Sequence, residues 1–88
     1  MDIQIRKLTE LQHAAYNPRK KLTPHDSEYH KIARSIDEFG YVDPIIINAD
    51  NTIIGGHQRA TVLADKGFDE VQVVVLNISK EQEKALNI

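Results

Sequence analysis

The stretch Ile53-Ile54-Gly55-Gly56-His57-Gln58-Arg59 decides the reading of this 88-residue chain, because it sets two glycines between an apolar β-branched run and a helix start. Ala60, Leu63 and Ala64 continue at helical spacing and Gly67 supplies a stop, so the segment reads as strand, glycine pair and a helix over His57 to Lys66. A helix that begins there presents unpaired N–H groups and about half a positive charge to whatever lies in front of it, which suits a phosphate. Gly55 and Gly56 would let a ligand approach the main chain. Arg59, in the first turn, would fork its guanidinium onto phosphate oxygens, and His57 and Gln58 would add polar contacts. His57 could accept or donate a proton near neutral pH and is the candidate catalytic group, as acid, base or phosphate stabiliser. The same residues have plainer readings beside these: a tight turn, a polar helix-start histidine and an ion-paired or solvated arginine.

Upstream, Ala49-Asp50-Asn51 supplies turn chemistry between Thr52-Ile53-Ile54 and the run Pro44-Ile45-Ile46-Ile47-Asn48. That run has no polar face, which predicts a strand near the sheet centre, covered on both sides. Tyr29, Ile32, Ala33, Ile36 and Phe39 fall at steps of three and four, giving an amphipathic helix capped by Asp26 or Ser27 and stopped at Phe39 or Gly40. At the N-terminus, Asp2 to Lys7 alternates apolar and polar residues as a half-buried strand does, and Thr9 with Gln12 has the spacing of a capping box over a short turn. His13 to Thr23 reads as an ordered loop holding the main basic cluster, Asn17-Pro18-Arg19-Lys20-Lys21. Downstream, Val71 to Leu76 is a further strand, and Ser79-Lys80-Glu81-Gln82 opens a helix that includes Ala85, Leu86 and Ile88. His13, His25 and His30 read as structural or solvated, and Asp43, Asp50 and Asp69 as solvated acids. The fold class expected is α/β (α+β), a small mixed sheet with three to four flanking helices.

Length and composition bound the function. One domain over residues 1–88, 41% hydrophobic, can bury a thin core but no deep cavity, so a ligand must sit at the surface or a subunit boundary. The absence of cysteine excludes disulfides, cysteine zinc sites and thiol chemistry. No apolar run approaches the length of a membrane span and no signal peptide is legible, so the expected location is cytoplasmic. A formal charge of −2 argues against a domain built mainly to neutralise DNA. DNA contact would be weak, through Arg6, Lys7, Arg19, Lys20 and Lys21. The last helix lacks a stop signal, which predicts either a C-terminal docking helix or a fragment of a longer protein, with a C-terminal fused domain or a homodimer through the helix from about Glu81 as the expected partners.

Three separated pieces resemble one family in order and spacing: Asn17-Pro18-Arg19, Ser35-Ile36 through Phe39-Gly40-Tyr41 with Pro44-Ile45, and the Gly55-Gly56-His57-Gln58-Arg59 box. From Ile3 to about Ala85 the chain looks like the ParB N-terminal domain superfamily, often labelled ParB-like nuclease and sharing its fold with sulfiredoxin. Its box is similar to the version on phage and mobile elements and at the front of some DNA adenine or cytosine methyltransferase proteins. The resemblance implies a domain that binds a nucleoside di- or triphosphate (CTP, ATP or ADP), with or without Mg2+. It would serve as a regulatory or targeting module in partitioning, transcription regulation or DNA modification. By position, Gly55, Gly56, His57, Gln58 and Arg59 would line the phosphates, Asn17 and Arg19 would approach from the facing loop, and Gly40 with Pro44 would shape the nucleoside side. Two alternatives stand beside this: an enzyme of the same fold, either a nucleotide-dependent phosphotransferase or a nuclease, and a ligand-free interaction domain.

Departures from the family narrow these implications. Chromosome-partitioning ParB proteins carry a Glu-Arg-Arg box with a further arginine, whereas His57, Gln58, Arg59 and Thr61 stand here, which leaves the CTP-driven clamp without its matching residues. No residues remain for the helix-turn-helix domain that reads DNA in those proteins. Sulfiredoxin chemistry needs a cysteine where His57 stands and is excluded. Metal-assisted phosphodiester cleavage needs grouped carboxylates, and the box has none, so no metal ligands are assigned.

Overall fold

A computed structural model describes residues 2–16, 23–40 and 43–86. In chain order Asp2–Lys7 forms β1, Ser27–Phe39 α1, Ile45–Asn48 β2, Ile53–Gly55 β3, His57–Asp65 α2, Glu70–Leu76 β4 and Lys80–Leu86 α3. The sheet order is β1-β4-β2-β3, with β2 parallel to β4 and each outer strand antiparallel to its neighbour. The residue pattern predicts a small mixed sheet with three to four flanking helices, and the described residues form such a sheet with three α-helices, the β-branched run lying inside it. No helix among the described residues is long and apolar enough to cross a membrane.

Strand alternation separates two faces. Ile45 and Ile47 of β2, Ile53 of β3, and Val71 and Val73 of β4 point into one cluster with Tyr29 and Ile36 of α1 and Ala60, Val62 and Leu63 of α2. Tyr29 also donates its hydroxyl to Asp65 Oδ2 at 2.8 Å, and Lys66 pairs with Asp37, so α1 and α2 are tied at their polar margins. Ile46, Asn48 and Ile54 fall on the opposite face, where α3 lies. Continuous β-branched residues in β2 thus reflect cover on both sides, as expected.

The turns follow local chemistry. Gly40 ends α1 at φ +72°, its amide donating to the Ile36 carbonyl at 2.8 Å. Asp26 precedes the helix, and its carboxylate accepts from the Thr23 amide at 2.8 Å. Asn51 takes the left-handed conformation in the β2–β3 hairpin, which Asn tolerates better than most residues. One expectation is corrected. The turn after β1 is a 3-10 helix over Leu8–Glu10, and the box side chain is Glu10, which accepts from the Lys7 amide at 3.3 Å. Thr9 and Gln12 do not form it, because the Gln12 main chain is recruited elsewhere. Its amide donates to Asn51 and its carbonyl accepts from Ile53, along the free side of β3. At Ser79 the expected box does form, with Ser79 Oγ accepting from the Gln82 amide and Gln82 Oε1 accepting from the Ser79 amide.

Helix α3 is held by a buried acid that the sequence pattern does not announce. Glu83 is 0% exposed and accepts from Tyr16 Oη at 2.6 Å, Asn48 Nδ2 at 2.7 Å and Lys80 Nζ at 3.1 Å. Asn48 also donates to the Ile78 carbonyl and accepts from the Ile78 and Ala49 amides, so every polar atom of its amide is used. Lys80 reaches Asp50 Oδ2 at 2.7 Å and Thr52 Oγ1 at 3.2 Å. One network therefore joins α3, the hairpin and Tyr16.

The charges of this network respond to one another. Hydrogen bonds from Lys80 and Thr52 hold the Asp50 carboxyl down at about 2. Burial pushes Glu83 up, but the bonds from Tyr16, Asn48 and Lys80 outweigh it together and leave its carboxyl below the usual range. Burial, together with the Glu83 carboxylate, pushes the Tyr16 phenol up to about 12.

Two predictions follow from the network. Glu83→Ala strips the acceptor from three donors and destabilises the domain by about 3 kcal/mol in urea unfolding, more than Lys80→Ala, whose side chain is half exposed. Both carboxyls have lowered folded-state pKa values, so their stabilisation is complete above the ordinary carboxylate range near 4 and is lost as pH falls toward about 2. The urea midpoint should drop across that interval, and Asp50→Asn should flatten the drop.

Candidate functional site

The glycine box forms the junction foreseen for it. Gly55 ends β3, Gly56 is the N-cap of α2, and His57 opens the helix. Gly56 holds φ +92° and ψ 22°, a left-handed conformation that costs an L-residue about 1–2 kcal/mol. A Cβ added there would stand 3.3 Å from Ile45 Cγ1 and 3.5 Å from Arg59 Nη1. Conformation and close packing both ask for glycine at this position. The turn brings the start of α2 beside the start of β2, so the helix N-terminus faces a cleft and not the core.

That cleft has a volume of about 330 Å3 and is lined by Ile32, Asp43, Pro44, Ile46 and residues Gly55 to Arg59. A second depression, lined by Lys31, Ser35 and Glu28, shares Ile32, Asp43 and Arg59 with it. The first volume falls at the lower end of the range for small-molecule sites. Its walls divide by chemistry: Ile32, Pro44 and Ile46 are apolar, while the α2 start and Arg59 are donors. Arg59 leans across the mouth, its Nη1 donating to the Asp43 carbonyl at 3.2 Å and its Nη2 lying 3.6 Å from Asp43 Oδ2. Asp43 is 77% exposed and Arg59 30%, so this is a solvent-screened ion pair that a stronger anion can displace. The cradle, the helix start and the guanidinium fit a phosphate chain, and the apolar wall fits a nucleoside.

His57 sits differently from its neighbours. Its side chain is buried at 4% exposure, with Nδ1 3.3 Å from His13 Nδ1 and the two rings stacked at 5.4 Å between centroids. A hydrogen bond between two Nδ1 atoms requires one to donate and the other to accept, so the two rings hold complementary tautomers. The ring is engaged with His13, while the residue as a whole lines the cleft. Of the three histidines read as structural or solvated, His13 is structural, packed against the His57 ring of the glycine box.

The other expected residues divide. Gly55, Gly56, His57, Gln58, Arg59 and Pro44 come together at the cleft. Gly40 caps α1, with nothing within 4 Å of an added Cβ. Asn17, Arg19, Lys20 and Lys21 lie outside the described residues. Of the remaining basic positions, Lys7 is exposed, and Arg6 donates to the Ile5 carbonyl and to Asn51 Oδ1. Among the described residues, no three His, Asp or Glu side chains gather as a metal site would require. Sequence reasoning missed Asp43 and Ile32. Asp43 is sixteen residues from the arginine it faces, and Ile32 reads only as part of a helix stripe.

Known proteins agree with this architecture. The ParB N-terminal domain model matches residues 2–88. The ParB-like nuclease domain-containing protein YnaK of Escherichia coli strain K12 is 31% identical over 84 residues, covering 96% of this chain and 93% of that protein. The uncharacterized protein ORF326b of Acidianus two-tailed virus is 30% identical over 64 residues, which cover 73% of this chain and 20% of the viral protein. Among solved structures, C-terminally truncated chromosome-partitioning protein ParB from Caulobacter crescentus, complexed with CTP-gamma-S, superposes with a TM-score of 0.82 at 19% identity. That match spans 100% of this chain and 51% of the ParB chain. Sulfiredoxin from Arabidopsis thaliana gives 0.73 at 16% identity, over 97% of this chain and 96% of that one. Identities this low establish a common fold alone. The family model and the bacterial relative go further: the chain belongs to the ParB N-terminal domain family, and its sheet and helices are the ParB/sulfiredoxin fold.

Proposed function

We propose that this domain binds a nucleoside di- or triphosphate in the cleft at the start of α2 and acts as a regulatory or targeting module of a DNA-related protein. The observation that carries the reading is the left-handed Gly56 turn, which aims a helix N-terminus and Arg59 at one cleft. In this reading the first amides of α2 and the Arg59 fork hold the phosphates, and Ile32, Pro44 and Ile46 face the nucleoside. Any Mg2+ arrives with the phosphates, as that ion prefers substrate oxygens and water to an all-protein cage. Asn17 and Arg19 would close the phosphates from the facing loop. His57, held by His13, would fix the helix start. The ParB structure with CTP-gamma-S supports a nucleotide as the ligand class and CTP as the first to try. Contact with DNA would be weak and salt-dependent, through Lys7 and the 19–21 cluster with Arg6.

Thermal unfolding with CTP, ATP or ADP, each with and without Mg2+, tests this reading. A ligand at 100 times its Kd stabilises by about 2.7 kcal/mol, which raises the Tm of a domain this size by roughly 10–20 °C. Arg59→Ala should abolish the rise and leave the unliganded Tm within a few degrees. Asp43→Asn, which frees the guanidinium from its internal acid, should increase affinity. Gly56→Ala should destabilise the free domain by about 1–2 kcal/mol and weaken nucleotide binding together with it. A folded domain whose Tm and amide spectrum ignore every nucleotide would refute the proposal.

A further inference from the structure

Strand β1 is one edge of the sheet, and among the described residues it is left open where the other edge is not. Along β3 the Gln12 main chain occupies the free side, donating to Asn51 and accepting from Ile53. Along β1 no strand among the described residues pairs with the outer side. The Leu8 amide donates to Asp69 at 2.8 Å, one step beyond the Lys7–Glu70 pair, so antiparallel alternation turns the main-chain groups of Ile3, Ile5 and Lys7 outward. The Ile5 carbonyl does point out, for it accepts from the Arg6 guanidinium beside it at 3.2 Å. Ile3 and Ile5 are also 64% and 54% exposed, although they stand in register with Val74 and Gln72 of β4 on the α3 side of the sheet.

The residues along this edge have a self-complementary order. Asp2-Ile3-Gln4-Ile5-Arg6 reads acid, apolar, polar, apolar, base. If two copies meet antiparallel about a two-fold axis at Gln4, Ile3 of each lies opposite Ile5 of the other, and Asp2 opposite Arg6. A slip of one residue would set apolar positions against polar ones and invert the partner's faces, and a slip of two would set Ile3 against Lys7. Charged edge residues ordinarily discourage pairing, and here a single register turns the same charges into cross-strand pairs.

We propose that β1 is a homodimerisation edge, on which a second copy of this chain adds its own β1 in the register centred on Gln4. Ile3 and Ile5 then exchange main-chain hydrogen bonds with Ile5 and Ile3 of the partner, Asp2 and Arg6 stand opposite one another in register, and the four isoleucines form one apolar cluster. Two sheets become one continuous sheet, with α3 of both copies on the same side. The contact is isologous, as a two-fold dimer requires. Its short length places it among weak, concentration-dependent interfaces.

Sedimentation equilibrium of the whole chain from about 10 μM to about 1 mM tests the dimer directly. A reversible monomer–dimer equilibrium is expected, with slowed amide exchange at Ile3 and Ile5 at the higher concentrations. Ile3→Lys combined with Ile5→Lys should leave a monomer at every concentration with an unchanged Tm, because both side chains are already exposed. Asp2→Arg and Arg6→Asp should each weaken association about tenfold, and the two together should restore it. A chain that stays monomeric throughout, a dimer that survives the isoleucine variant, or a double charge variant no tighter than either single one would overturn the proposal.

Discussion

At Gly56 the backbone adopts φ +92° within van der Waals reach of Ile45, and much of the architecture depends on that turn. Chain direction changes there from β3 into α2 without an intervening loop, so α2 starts at the sheet end where β2 also starts. Had the chain needed a longer connection, the first amides of α2 would point elsewhere and Arg59 would not reach Asp43. The same turn sets the inner face of α2 onto β2 and against α1, placing Ala60, Val62 and Leu63 in the core beside Ile45 and Ile47. Core packing and cleft geometry are two consequences of one backbone conformation.

Charge is used in two opposite ways on either side of this turn. Around Glu83 the acid is sealed from water and every contact is internal, so the group acts as a fastening for α3 and the hairpin. Removing a buried charge of this kind from its donors is costly, which makes the network structural by its physics. At Arg59 the pair with Asp43 is exposed and loosely spaced, and water or an anion competes with it readily. The exchangeable pair stands at the cleft mouth, whereas the sealed one stands away from it. His13 and His57 form a third arrangement, a stacked and hydrogen-bonded pair at the helix start.

The sheet is asymmetric in a comparable manner. Its β3 side is occupied by the Gln12 main chain and by α3, and the hairpin is locked through Asn48. Its β1 side presents alternating isoleucines and outward main-chain groups. Solved structures at identities of 16–19% share the fold of this sheet.

Periodicity and turn chemistry were sufficient to place every main element, because each signal acts over a few neighbouring residues. Alternation marks β1, the step of three and four marks α1, and the isoleucine run in β2 reports cover on both faces. Gly40, Asn51 and Gly67 all adopt positive φ where the sequence asks for turns or caps. The glycine box was legible as a helix start for the same local reason. What tertiary structure alone decided are contacts between residues distant in the chain: Glu83 with Tyr16 and Asn48, His57 with His13, and Arg59 with Asp43. None has a local signature. Glu83 looks like any acid on a short charged helix until the sheet places Asn48 beneath it. Likewise the spacing of Gln12 from Thr9 predicts a cap, whereas the free edge of β3 claims the Gln12 main chain. Short-range sterics and hydrophobic period are written residue by residue, whereas burial and the pairing of charges arise only when the sheet closes strands β1-β4-β2-β3 side by side.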